Sequence, residues 1–153
     1  MTAQLAVKPK TNQLYEQDFY LWLETTAQLL KEGRLSELDL ENLIEEIETM
    51  GRSEKDALES NLIIILLHLL KWRYQPNKRS RSWKSSIFEH RRRLDKALKN
   101  SPSLKSYFRE IFAECYQYGR KKASIETGLS LKAFPLESPF SIEEVLDQDF
   151  LPD

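Results

Sequence analysis

Residues 62–70 read LIIILLHLL, a run that is apolar on every side of a helix except at His68. A helix that is hydrophobic all round is the buried centre of its domain. A buried strand is the competing reading of such a run, but the leucine content and the length of the surrounding segment favour a helix. That segment, SEKDALESNLIIILLHLLKWRYQP, offers Ser53 as a cap, with Asp56 at the capping-box position, and Pro76 as a stop. The apolar run is far shorter than the roughly 20 residues that cross a bilayer, so no membrane span is expected.

Around this centre the periodicity predicts further helices. From Leu14, the residues Tyr15, Phe19, Trp22, Leu23, Leu29 and Leu30 form one broad stripe, with Gly33 as its end. Leu40, Leu43, Ile44 and Ile47 follow the i, i+3, i+4, i+7 pattern, with Ser36 or Asp39 as the cap and Gly51 as the stop. After the loop QPNKRSRS, Trp83, Ile87, His90, Leu94 and Leu98 share one face of a helix over 82–100. NSPSL reads as a break and restart, with Ser101 capping and Pro102 at the first helical position. The helix that follows carries Leu104, Phe108, Ile111, Phe112, Cys115 and Gly119 and ends near Gly128. The C-terminal segment is rich in proline and holds one short helix, capped by Ser141 with Glu144. The expected fold is therefore all-α: a single-domain antiparallel bundle of about five helices. Its expected parts are a flexible tail at 1–13, the bundle at 14–128, and a segment at 129–153 that packs on the bundle.

Charge is what points beyond the fold. The chain carries a net charge of only −1, yet residues 15–60 hold 13 Asp/Glu against 4 Lys/Arg, while residues 71–99 hold 11 Lys/Arg against 2 Asp/Glu. Such asymmetry marks either an anionic partner for the basic part or helices of opposite charge that neutralise each other in place. One cysteine, Cys115, excludes an internal disulfide and a multi-cysteine metal site. The N-terminal residues lack the apolar core of a secretion signal, and a cytoplasmic protein is expected.

Several blocks of the chain, in order, resemble a bacterial family abundant in cyanobacteria, domain-of-unknown-function family twenty-nine. They are Tyr15–Asp18–Trp22, LIEEIETMG at 43–51, HLLKW at 68–72, Ser82–Trp83, Pro102–Leu104, and the C-terminal FLPD. The resemblance covers about residues 14–153 and implies an all-helical bundle. It brings no established reaction, cofactor or catalytic residue.

The richest chemistry lies in the basic stretch. Lys71, Arg73, Lys78, Arg79, Arg81 and Lys84 flank Trp72, Tyr74 and Trp83, and Arg91, Arg92 and Arg93 follow. Phosphates call for cations, and unpaired bases stack on aromatic rings or guanidinium planes. Trp83 lies on an apolar stripe and is expected in the core, as is Trp22, with Trp72 partly exposed. His68 could meet Glu45, Glu46 or Glu48 at a metal, but no Asp or Glu stands three residues before either histidine, as a ferritin-like site would require. A hydrogen-bonded core histidine is the expected state of His68, and Cys115 is expected to be a small core residue. The sequence thus describes a helical binding module whose partner is a protein or a nucleic acid, with homo-oligomer formation open. Its partner-binding candidates are Lys71, Arg73, Lys78, Arg79, Arg81, Lys84, Arg91 and Arg92. No catalytic residue, metal or cofactor is assigned. The alternative is a phosphodiesterase-type nuclease using His68 or His90 with nearby arginines.

Overall fold

The computed structural model describes residues 11–153, which form six helices and, among the described residues, no strand. The helices are α1 (Thr11–Gln17), α2 (Phe19–Lys31), α3 (Leu40–Tyr74), α4 (Arg81–Asn100), α5 (Leu104–Thr127) and α6 (Ile142–Leu146). The fold is all-α and helical-bundle in character. Of the tail expected at 1–13, residues 1–10 lie outside the described residues, and residues 11–13 already open α1. No helix among the described residues is long and apolar enough to cross a membrane.

Several of the expected helix boundaries are different, among them the start of α5: Ser101 closes α4 instead of capping α5, which opens at Leu104 after Ser103 and leaves Pro102 in the turn. The stripe starting at Leu14 is interrupted at Asp18, whose carboxylate accepts a hydrogen bond from the Leu21 amide at 3.0 Å and so caps a new helix. An aspartate that satisfies a free amide in this way favours a helix start over a helix interior. Conversely, Gly51 does not end a helix, and Ser53 does not start one: α3 runs unbroken through both for 35 residues. A stop at glycine needs a left-handed backbone, which only Gly33 (φ 69°) and Gly128 (φ 75°) adopt among the described residues. At Gly33 the two bonds of a Schellman motif are present, from Gly33 N–H to Leu30 and from Arg34 N–H to Leu29. Around Gly51, Arg52 instead reaches back along the helix to Glu45 (3.1 Å) and Glu48 (4.0 Å), bracing the exposed turn.

The described residues divide into two compact units, 11–52 and 53–153. In the first, Leu14, Trp22, Thr26 and Leu29 are buried. Trp22 meets Tyr15 edge-on, with ring centroids 4.9 Å apart, and the Tyr15 hydroxyl donates to Glu46 on α3. In the second, Leu62, Ile65, Leu66, Leu69 and Leu70 of α3 are fully buried. Ile87 and Leu94 of α4 and Phe108 and Tyr116 of α5 join the same core. Gly119 permits a close approach of α5 to α3, since a Cβ there would lie 3.4 Å from the Ile63 carbonyl. The central run is not covered on every side: Ile63, Ile64 and His68 are only half-buried.

The C-terminal segment inserts Phe134, Phe140 and Val145 into this core. Three side chains of α5 hold it by its backbone: Tyr116 donates to Pro135 O (2.6 Å), Gln117 to Leu136 O (2.6 Å) and Arg120 to Phe134 O (3.2 Å). Ser141 and Glu144 form a full capping box at α6.

Candidate functional site

The corner between α3 and α4 is built by two local stops. Pro76 ends α3 and begins a single 3-10 turn, Pro76–Lys78. Ser80 then caps α4, its hydroxyl accepting from the Trp83 amide at 3.2 Å. The connection is therefore shorter than the expected loop, and Arg81 opens a helix instead of sitting in one. Arg79 folds back, donating from Nε to the Trp72 carbonyl at 2.8 Å and lying 5.1 Å from the centre of the Trp72 ring. It satisfies one of the carbonyls left open at the end of α3.

The eight candidate cations fall into three groups. Among the described residues Arg73, Lys78, Arg81 and Lys84 are exposed and stand in no ion pair, Arg73 lying 5.7 Å from the centre of the Tyr74 ring. Lys71, Arg79 and Arg92 are engaged. Lys71 pairs with Glu126 at 3.2 Å and sits 4.7 Å from the Trp83 ring. Arg92 forms a fork with Glu89 (2.8 and 3.1 Å), which Arg93 joins at 3.2 Å; these bonds bring the Glu89 carboxyl down to about 2.

Arg91 is the correction. It is 2% exposed, and its guanidinium donates to the carbonyls of Val145 (2.8 Å), Phe150 (2.7 Å) and Glu144 (3.1 Å). Burial works against its charge, and Asp147 and Asp149 act to restore it. A guanidinium committed in this way cannot meet an external phosphate. Trp83 also departs from expectation: it is half-buried, with the Lys71 ammonium over its ring.

The sequence reading missed Phe88, which is 60% exposed on α4. Lys84 precedes it by one turn and Arg92 follows it by one, so all three share the outer face of the helix. The signal was present in the spacing, because Phe88 falls outside the stripe of Ile87, Leu94 and Leu98. The outer face of α4 is a cationic row with an aromatic ring in it.

Arg34 pairs with Glu32 and Glu37, Arg52 with Glu45 and Glu48, Arg92 and Arg93 with Glu89, and Lys99 with Asp95. Each of these pairs joins residues no more than seven apart in the chain.

Both histidines are turned back onto their own helices. Nδ1 of His68 lies 2.8 Å from the Ile64 carbonyl, and Nδ1 of His90 lies 2.7 Å from that of Ser86. Burial lowers the pKa of His68 below its ordinary value. Glu46 accepts from Tyr15, and Glu45 and Glu48 face Arg52. Among the described residues no group of three or more His, Cys, Asp or Glu is placed to hold a metal ion. A groove of about 500 Å³ runs along α3 and α5, with Glu59, Ile63, Ile64 and Tyr118 among its lining residues and Cys115 at its edge. Burial, with Glu59 and Glu114 adding to it, pushes the Cys115 thiol up to about 12, so this thiol is no ready nucleophile.

No curated protein and no solved structure matches this chain. A family model, the domain of unknown function DUF29, matches residues 14–151, and the chain belongs to that family.

Proposed function

We propose that the chain is a helical binding module whose α3–α4 corner and outer α4 face take the phosphate backbone of a single-stranded nucleic acid. One observation carries this reading: among the described residues Arg73, Lys78, Arg81 and Lys84 are exposed without acidic partners, and Phe88 is exposed on α4, the helix that carries Arg81 and Lys84. Free cations can displace the counterions of a polyanion, whereas cations already in ion pairs gain less. An exposed ring among them gives an unpaired base a face to stack on. The positive end of the α4 dipole, at Arg81, adds to the attraction. A nucleic-acid partner and a lone buried cysteine both fit a cytoplasmic protein.

An anisotropy titration tests the reading, with labelled single-stranded and duplex probes at low salt. Four phosphate contacts predict a logarithmic salt slope of about −3 on single strands. Replacing Lys78, Arg81 and Lys84 with serine should abolish binding, and Phe88→Ala should weaken single-strand binding more than duplex binding. A wild-type chain that binds neither probe, or a triple variant that binds as well as wild type, overturns the reading. The same incubation on a denaturing gel should return an intact probe. Cleavage that disappears in His68→Gln or His90→Gln would replace binding with the phosphodiesterase alternative.

A further inference from the structure

The first half of α3 carries an apolar stripe that no described residue covers. Leu40, Ile44, Ile47 and Met50 are 56%, 53%, 56% and 60% exposed, and their spacing puts them on one face. The second half of the same helix is the most deeply buried element of the chain. In the same unit α2 leaves Phe19, Leu23 and Leu30 between 42% and 47% exposed. Scattered apolar side chains on a surface need no explanation, but a run of large ones at helical spacing marks an interaction site.

Charge selects the occupant. Residues 11–52 contain ten Asp/Glu and three Lys/Arg. Two of those three cations are already held, Arg34 by Glu32 and Glu37 and Arg52 by Glu45 and Glu48. Glu41 and Glu48 flank the stripe on one side, and Glu24 is exposed on α2. A second copy of this unit would set one acidic surface against another. A nucleic acid or an anionic membrane would be repelled as well. An apolar stripe with acidic borders is complementary to a helix with apolar residues on one face and lysine or arginine beside them.

We propose that the face of α3 formed by Leu40, Ile44, Ile47 and Met50 docks a cationic amphipathic helix of a partner protein. Binding buries the stripe and sets the partner's lysines and arginines against the glutamates. The cations of α4 and this acidic-bordered stripe share no residue, so the proposal does not depend on nucleic-acid binding.

The test uses the full chain and a labelled helical peptide of about 18 residues, built only of leucine and lysine with the leucines on one face. A scrambled peptide of the same composition and a leucine–glutamate peptide of the same pattern serve as comparisons. The patterned cationic peptide should bind, and the other two should bind at least about tenfold more weakly. Replacing both Ile44 and Ile47 with serine should cost about tenfold or more, whereas Ile125→Ser, exposed on α5, should cost nothing. Raising salt from about 50 to 300 mM should weaken binding several-fold. Circular dichroism checks that each variant keeps its helix content, which exposed sites permit. No binding, equal binding of the scrambled peptide, or an affinity unchanged in the double variant overturns the proposal. So does a dimer in sedimentation without peptide that the double variant dissolves, because the stripe would then belong to a second copy of the chain.

Discussion

Arg91 on α4 and Val145 on α6 are joined by a hydrogen bond of 2.8 Å across 54 residues of sequence. Bonds from the same guanidinium to Glu144 and Phe150 make Arg91 a clasp for the C-terminal segment. Hydrogen bonds from a charged donor are stronger than neutral ones, and buried carbonyls stripped of a donor are costly. Arg91→Met should therefore destabilise the protein by about 3–5 kcal/mol. Arg91→Lys should lose less, since one ammonium keeps the charge but cannot reach three carbonyls with a fixed fork. Urea unfolding gives the magnitude, and limited proteolysis after residue 135 shows whether the segment is released. An unchanged midpoint in Arg91→Met would remove the clasp from the account.

Gly51 gives a prediction of opposite sign. It lies inside α3 without a left-handed backbone, and a Cβ built there meets nothing within 4 Å. Alanine costs less than glycine in a helix interior because the unfolded chain has less freedom to lose. Gly51→Ala should stabilise the protein by about 0.5–1 kcal/mol, read as a higher urea midpoint. Gly33→Ala should do the reverse, since φ there is 69°. If Gly51 ended a helix, as the sequence alone suggests, both substitutions would destabilise.

That contrast marks what the sequence could and could not convey. The Ser141–Glu144 box was legible because its four residues contain the whole interaction. The buried centre at 62–70 was legible because an unbroken apolar run has little to offer water, although Ile63, Ile64 and His68 remain half-buried. Gly51 was misread because a glycine stop depends on a backbone angle that residue identity does not determine. Asp18 was passed over because its capping signal sits inside an apolar stripe. Arg91 looked like its neighbours Arg92 and Arg93, and only the return of the chain more than 50 residues later buries it. Phe88 could have been found by helical arithmetic, being the aromatic residue of α4 that falls off the core stripe.

Cys115 should behave as an inert thiol. It is 4% exposed, and burial, with Glu59 and Glu114 next in effect, holds its pKa at about 12. At pH 8 it is protonated, and the thiolate is the reactive form. Native protein should react with a disulfide reagent at least about a hundred times more slowly than protein in denaturant. A native rate near that of a free thiol would mean that the α3–α5 packing opens readily.

His68 should make stability depend on pH in a window above the carboxylates. Burial is the largest influence on it and lowers its pKa, the Ile64 carbonyl opposes that, and Lys71, Glu126 and His90 act more weakly from nearby. The unfolded chain binds the proton at the ordinary imidazole value near 6.5, whereas the folded chain resists it until lower pH. Between those two values the unfolded state holds more protons, so stability falls as the pH falls. The contribution is fully present above about pH 7, is lost on the way down to the folded value, and does not change below it. One proton limits the slope to about 1.4 kcal/mol per pH unit. The carboxyl of Glu89, brought down to about 2, acts in a separate and lower range, losing its contribution as pH falls from its ordinary value of 4.5. Urea unfolding at closely spaced pH values from about 7.5 to 5 would trace the curve. His68→Gln keeps an N–H able to donate to the Ile64 carbonyl and removes the titration, so its stability should be flatter over the same range. A variant as steep as wild type would assign the dependence to another group.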